Sequence, residues 1–203
     1  MIFEVKNDGR RKARLVAGGH KVEVDGIPIK ATVVKSMSIK TLHVIRARDN
    51  LGLITGDIAN AFINTDTKEK VYCTAGLELG DKFGCTVVIK KALYGLKSSA
   101  NAWHGMLSDF IRTLGFVPTR YDEDVWIRQR EAKDGYDYIC THVDDFMIVA
   151  RNPQRWLDPL QQHFVIKHAG KPKSYLGNDL ILDERTGLYQ MGSVTSERSL
   201  DPD

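Results

Sequence analysis

Three aspartates carry the chemistry that this sequence can do. Asp144 and Asp145 are adjacent between two apolar stretches, 138–143 and 146–150, and Asp57 closes a third, 53–58. An isolated Asp-Asp pair is most often a polar turn, because Asp is a favoured turn residue. A second apolar stretch ending on a carboxylate opens another chemistry. Phosphoryl or nucleotidyl transfer with two magnesium ions needs carboxylates converging from neighbouring strands, the ions about 3.5–4 Å apart across the attacking and leaving oxygens. Magnesium prefers oxygen ligands and keeps part of its water shell, so two or three Asp suffice. Pairing of 53–58 beside the Asp144-Asp145 hairpin would assemble that cluster. Asp57 alone reads as a strand-end or helix-cap residue.

The elements that must position these groups are short. Residues 2–5 and 13–16 around Asp8-Gly9 read as a hairpin, which Gly18-Gly19 ends. Ser36 is placed to cap a helix carrying Ile39, Leu42 and Ile45 on one face. Strands are expected at 53–58, 71–74, 86–89, 125–128, 138–143 and 146–150, the last two separated only by Asp144-Asp145. Trp103, Met106, Leu107, Phe110, Ile111 and Leu114 recur at helical spacing, with Ser98 or Ser99 as cap and Gly115 as stop. Asp158 and Pro159 read as the opening of a short helix through Phe164. Strands at 178–182 and 188–191 flank an Arg185-Thr186-Gly187 turn. This interleaving points to an α+β sheet with helices on one face.

No repeat or low-complexity linker divides the chain, so a single domain is expected over 1–191, with 192–203 a disordered tail. The composition, 42% hydrophobic and 27% charged over 203 residues, is that of an ordinary globular protein. No apolar run approaches the ~20 residues of a membrane span and the N-terminus lacks a signal-peptide pattern, so the expected setting is intracellular without a membrane partner. Cys73, Cys85 and Cys140 show no zinc-ligand spacing and are odd in number, against a disulfide framework. Charge is uneven: residues 1–48 hold eleven Lys/Arg against four Asp/Glu, and the remainder eighteen against twenty-two. A basic N-terminal quarter suits contact with a polyanion, and equally a solvated basic face.

The segments KARLVAGGH, GDIANAFIN, KEKVYCTAG, ALYGLKSSANAW, DVWI, HVDDFMIVA and YLG follow one another in this chain. Their order and spacing resemble the reverse transcriptases of copia-like retrotransposons across roughly residues 2–191. That resemblance implies the fingers and palm of a right-hand polymerase, an antiparallel palm sheet packed on helices. Asp57 then matches the first catalytic aspartate, and Asp144 and Asp145 match the carboxylates of the Tyr-x-Asp-Asp motif. The implied metal set is Asp57, Ile58, Asp144 and Asp145, taking two Mg2+ with Mn2+ as a substitute. Phe62 matches the aromatic that crowds a ribose 2′-hydroxyl, although its residue type alone also reads as core packing. Lys12 and Arg14, two apart and so on one strand face, match fingers residues that contact the triphosphate, where a guanidinium pairs in bidentate fashion. Surface charge is their alternative reading. Gly95, Lys97 and Ser99 match the loop at the template and incoming nucleotide. His142 and Val143 fall at the primer end, and Leu176 and Gly177 near the primer-gripping hairpin.

The departures from the family pattern are specific. His142 stands where Tyr is usual, Ser98 and Ala100 where Gln and Pro are frequent, and Pro159 interrupts a helix that usually runs unbroken. No thumb, connection or ribonuclease H segment is recognisable. The expected function is RNA-directed DNA synthesis from an RNA or DNA template-primer and deoxynucleoside triphosphates, within a Pol polyprotein and in cytoplasmic virus-like particles, or else in the nucleus. The alternative is a truncated or degenerate, inactive remnant with at most nucleic-acid binding. A plain RNA-binding module is a third class, but no candidate central strand carries the paired aromatics on which bases stack.

Overall fold

Apolar strands with both faces buried need cover on each side, and this chain provides it. The computed structural model describes residues 1–5, 9–19, 26–176, 178–183, 185–186 and 188–193. Along the chain run β1 (Ile2–Val5), β2 (Arg11–Arg14), α1 (Ser36–Arg48), β3 (Gly52–Ile58), β4 (Asp66–Thr74) and β5 (Thr86–Lys91). Then follow α2 (Ser99–Thr113), β6 (Val117–Pro118), β7 (Val125–Gln129), β8 (Tyr136–His142), β9 (Asp145–Ala150) and α3 (Gln154–His163). The last elements are β10 (Ile166–Gly170), β11 (Ser174–Tyr175), β12 (Asn178–Asp183) and β13 (Leu188–Ser193). Contacts divide the chain into two units, Met1–Thr32 with Asn60–Phe110, and Val33–Ala59 with Ile111–Asp203.

The second unit holds a six-stranded antiparallel sheet in the order β10-β3-β9-β8-β7-β6. On one face Leu53, Val125, Cys140, Met147 and Val149 pack with Ile39 and Leu42 of α1 and with Tyr175 and Leu180 of the small β11-β12-β13 sheet. On the other, the Trp156 indole of α3 donates to Asp137 at 2.9 Å, lies under the Arg128 guanidinium at 4.6 Å and meets Phe116 edge-on at 5.0 Å. Helices therefore cover both faces, not one. The strands explain it, for every residue of β9 after Asp145 is buried.

Helix starts differ from the sequence expectation in one recurrent way: distant carboxylates replace serine caps. Ser36 is the first helical residue of α1, and the preceding Lys35 backbone N–H donates to Asp122 at 2.9 Å while Ser38 donates its hydroxyl to the same oxygen. At α2 the Ser98 backbone N–H donates to Glu69 at 2.7 Å, the Ser99 hydroxyl donates to the Leu93 carbonyl, and the buried Ser98 hydroxyl makes no hydrogen bond. Helix α3 begins at Gln154, four residues before Asp158, and continues through Pro159. Its buried Trp156, Leu157 and Leu160 hold it against the loss of the proline's N–H.

The first unit pairs β1 with β2 and, separately, β4 with β5. The second strand of the opening hairpin lies at Arg11–Arg14, two residues earlier than expected, because Val16 instead makes a parallel bridge to Tyr94. Asp8 of the expected turn, Gly187 and residues 194–203 lie outside the described residues. Gly19 and Gly95 approach so closely that a Cβ on either would collide with the other segment's backbone carbonyls.

Candidate active site

Strand register brings the aspartates together. Antiparallel pairing sets Gly56 opposite Phe146 and Asp57 opposite Asp145, and the Ile58 N–H donates to the Asp144 carbonyl at 2.8 Å. On the far side of β9, His142 is the partner of Asp145; on the far side of β3, Lys167 of β10 is the partner of Asp57. Directly opposed residues share a sheet face, so Lys167, Asp57, Asp145 and His142 form one row across four strands. The turn is not Asp144-Asp145, as residue types suggested, but Val143-Asp144, with Asp145 the first residue of β9. Val143 takes φ +57°, a left-handed conformation that a β-branched side chain rarely adopts and that costs on the order of 1–3 kcal/mol. Close-packed strands on both sides hold it there.

The electrostatics follow from this crowding. Partial burial, reinforced by the neighbouring Asp144 and Asp57 carboxylates and opposed by His142, pushes the Asp145 carboxyl up to about 6. Like charges gathered in a half-buried place favour keeping a proton or gaining a cation. The donor set is right in kind for a hard divalent ion, three carboxylates on two adjacent strand ends and the turn between strands. As the side chains stand, no group of three His, Cys, Asp or Glu among the described residues is arranged to hold a metal ion. The fit is one of donor type and strand placement.

The remaining sequence-selected residues fall in two places. In the second unit, Leu176 takes φ +48° and packs against the core cluster; Gly177 lies outside the described residues. In the first unit, Lys12 lies opposite Glu4, and Arg14 bonds Glu4 and sits 5.8 Å from the Tyr94 ring centre. Phe62, in a 3-10 turn at Ala61–Asn64, is half-buried and meets Tyr94 edge-on at 4.7 Å. Arg14, Tyr94 and Phe62 thus form a chain of contacts that spacing did not reveal. Gly95 takes φ +90°, Lys97 is exposed, and Ser99 is 2% exposed with its hydroxyl spent inside the loop.

Lys167 and the Gly56–Phe146 pair carry no local signal in the sequence that ties them to the aspartates. Strand β10 is IKHAG, mostly exposed and without alternation, so only the Val165-Ile166 pair after the helix stop signals a strand. Among the free cysteines, Cys73 and Cys85 are exposed and Cys140 is buried.

Comparison with known proteins places these features in a family. The family model described as reverse transcriptase (RNA-dependent DNA polymerase) matches residues 2–195. The retrovirus-related Pol polyprotein from transposon TNT 1-94 of Nicotiana tabacum is 29% identical over 197 residues, 91% of this chain and 15% of that protein. The Pol polyprotein from transposon RE1 of Arabidopsis thaliana is 30% identical over 175 residues, 83% of this chain and 12% of that protein. The transposon Ty1-BL Gag-Pol polyprotein of Saccharomyces cerevisiae is 29% identical over 82% of this chain and 9% of its own length. The chain thus spans only a small part of each relative it matches.

Proposed function

This chain belongs to the reverse transcriptase (RNA-dependent DNA polymerase) family, among its copia-like retrotransposon members, and from that premise we propose that it is the fingers and palm of an RNA-directed DNA polymerase. The six-stranded sheet is the palm and the first unit the fingers. One observation carries the reading: β3 and β9 pair so that Asp57 faces Asp145 directly, with Asp144 in the adjoining turn. A slip of one residue in this register would turn Asp57 to the other face of the sheet, away from Asp145.

Asp57, Asp144 and Asp145 would hold two Mg2+, or Mn2+ in their place, with the backbone at Ile58 beside them. Such ions, when bound, lower the pKa of an attacking hydroxyl and neutralise charge on a leaving pyrophosphate. The chain's own residues do the rest. Lys12 and Arg14 attract and orient the triphosphate of a deoxynucleotide, the guanidinium through paired hydrogen bonds. Phe62, locked by Tyr94, excludes a 2′-hydroxyl by volume. The backbone at His142 and Val143, with Leu176 and Gly177, positions the primer end, while Gly95, Lys97 and Ser99 border template and nucleotide. Basic groups of the N-terminal quarter hold RNA or DNA through phosphates, so binding weakens as salt rises. The work is proposed to take place in a cytoplasmic particle, as part of a longer Pol polyprotein.

Primer extension by the Asp144→Asn variant tests the proposal. Activity falls on the order of 10³-fold if the carboxylate serves the transferring phosphoryl group; unchanged extension in an otherwise active protein ends the reading. A second reading, a catalytically silent family member, is favoured by His142 in the usual tyrosine place. Calorimetric Mn2+ titration separates the two, since a silent remnant shows no binding that depends on Asp57 and Asp144.

A further inference from the structure

Resting on the carboxylate reading above, we infer that Gly56 and Phe146 are positioning residues that set the separation of the Asp57 and Asp145 carboxylates. The two are cross-strand partners, one step along the ladder from the aspartate pair. Both are buried, Phe146 to 1% exposure, on the sheet face opposite the carboxylates. A Cβ built on Gly56 would run into Phe146 Cζ and stand 2.9 Å from Cε1 and 3.2 Å from Cε2. Three carbons at the outer end of the ring so close to one point mean that the ring fills the space where a side chain on Gly56 would go.

Glycine inside a central strand weakens it and gives no side chain to pack. An aromatic ring folded over it repairs that loss from the partner strand. What the pair achieves depends on its place. Strands β3 and β9 are clamped on one side of the aspartates by the Ile58 N–H to Asp144 carbonyl bond, and on the other by the ring against Gly56. The aspartates sit between these two fixed points, on adjacent residues of the same two strands. A methyl group at residue 56 must push the ring or the strand, since the backbone on both sides is paired. A smaller side chain at 146 leaves the clamp open. Either change alters the spacing of residues 57 and 145 first. Misplacement of about 1 Å costs on the order of 10²-fold in a site that depends on geometry.

The experiment measures Mn2+ affinity by calorimetry, with thermal melts by circular dichroism fixing a temperature at which every variant is folded. Wild type, Gly56→Ala, Phe146→Leu and the double variant are compared, with Asp57→Asn as the control for binding at the carboxylates. Gly56→Ala and Phe146→Leu should each weaken Mn2+ binding about tenfold or more, and the double variant, which trades one methyl-sized volume for another across the pair, should recover to within about threefold of wild type. Should Gly56→Ala not fold, Phe146→Leu against the double variant carries the same test. Single variants that are folded and bind as tightly as wild type overturn the inference, as does a double variant no better than its parents. Wild-type binding that is absent, or unchanged in Asp57→Asn, overturns the carboxylate reading itself and the inference with it. A purely structural pair would shift the melts and leave the affinity unmoved.

Discussion

Hairpins β8–β9 and β4–β5 are built from strands of similar length and to opposite effect. In β8–β9 nearly every residue away from the turn is buried, pairing is unbroken from Tyr138↔Val149 to His142↔Asp145, and a two-residue turn joins the strands. In β4–β5 most residues are exposed, pairing shifts between Asp66 and Val71, and a 3-10 segment lies between the strands. A ladder with both faces packed can hold a strained turn and crowded carboxylates, because packing contacts exceed the local cost. A ladder open to water gives such features less support. The difference suits a division of labour in which one hairpin carries rigid chemistry and the other an adaptable surface.

That contrast can be broken or sharpened by substitution. Met147→Ala, at a position 0% exposed, should lower stability by about 2–4 kcal/mol in urea denaturation; a loss under about 1 kcal/mol would erase the contrast. Asp145→Asn comes next. The carboxyl is raised from 3.8 to about 6, so the folded chain holds its proton more tightly than the unfolded one. The contribution of this group to stability is then greatest at low pH and declines as pH climbs through that window. The asparagine should remove this group's decline and, with the shift discounted for screening at a part-exposed carboxyl, add about 1 kcal/mol in metal-free buffer at pH 7, read as a higher melting temperature. Val143→Gly should add roughly 0.5–1 kcal/mol by relieving the left-handed backbone, less the glycine's extra chain entropy. Val88→Ala in β5, 38% exposed, should move stability by less than about 0.5 kcal/mol.

Where the sequence spoke clearly, the code was local. Apolar blocks around Asp57 and around Asp144-Asp145, and the periodic run from Trp103 to Leu114, became β3, β8, β9 and α2 because the same residues that define the pattern make the burial. Where it was silent, the cause lay far along the chain. Asp122 holds the start of α1 from 87 residues away, which no serine-cap rule anticipates. The one-residue displacement of the turn has a similar origin. Aspartate is the better turn residue, so Asp144-Asp145 attracts the assignment, yet pairing of Asp57 with Asp145 draws the second aspartate into the strand. Proline at 159 reads as a helix start, and only the burial of Trp156 and Leu160 around it overrules that reading. Strand β10 escapes notice because its exposed residues carry no periodic signal.

The two borders of the six-stranded sheet have a bearing on solubility. A long flat border with free N–H and C=O groups would template pairing with another chain. One border here is β6, two residues long and ending in Pro118, which offers no N–H to a newcomer. The other is β10, whose register slips between Lys167 and Gly170 and whose His168 takes φ +54°. A stranger's strand would meet a stub on one side and a crooked rail on the other, so the sheet that gathers the aspartates is also poorly suited to seeding aggregates.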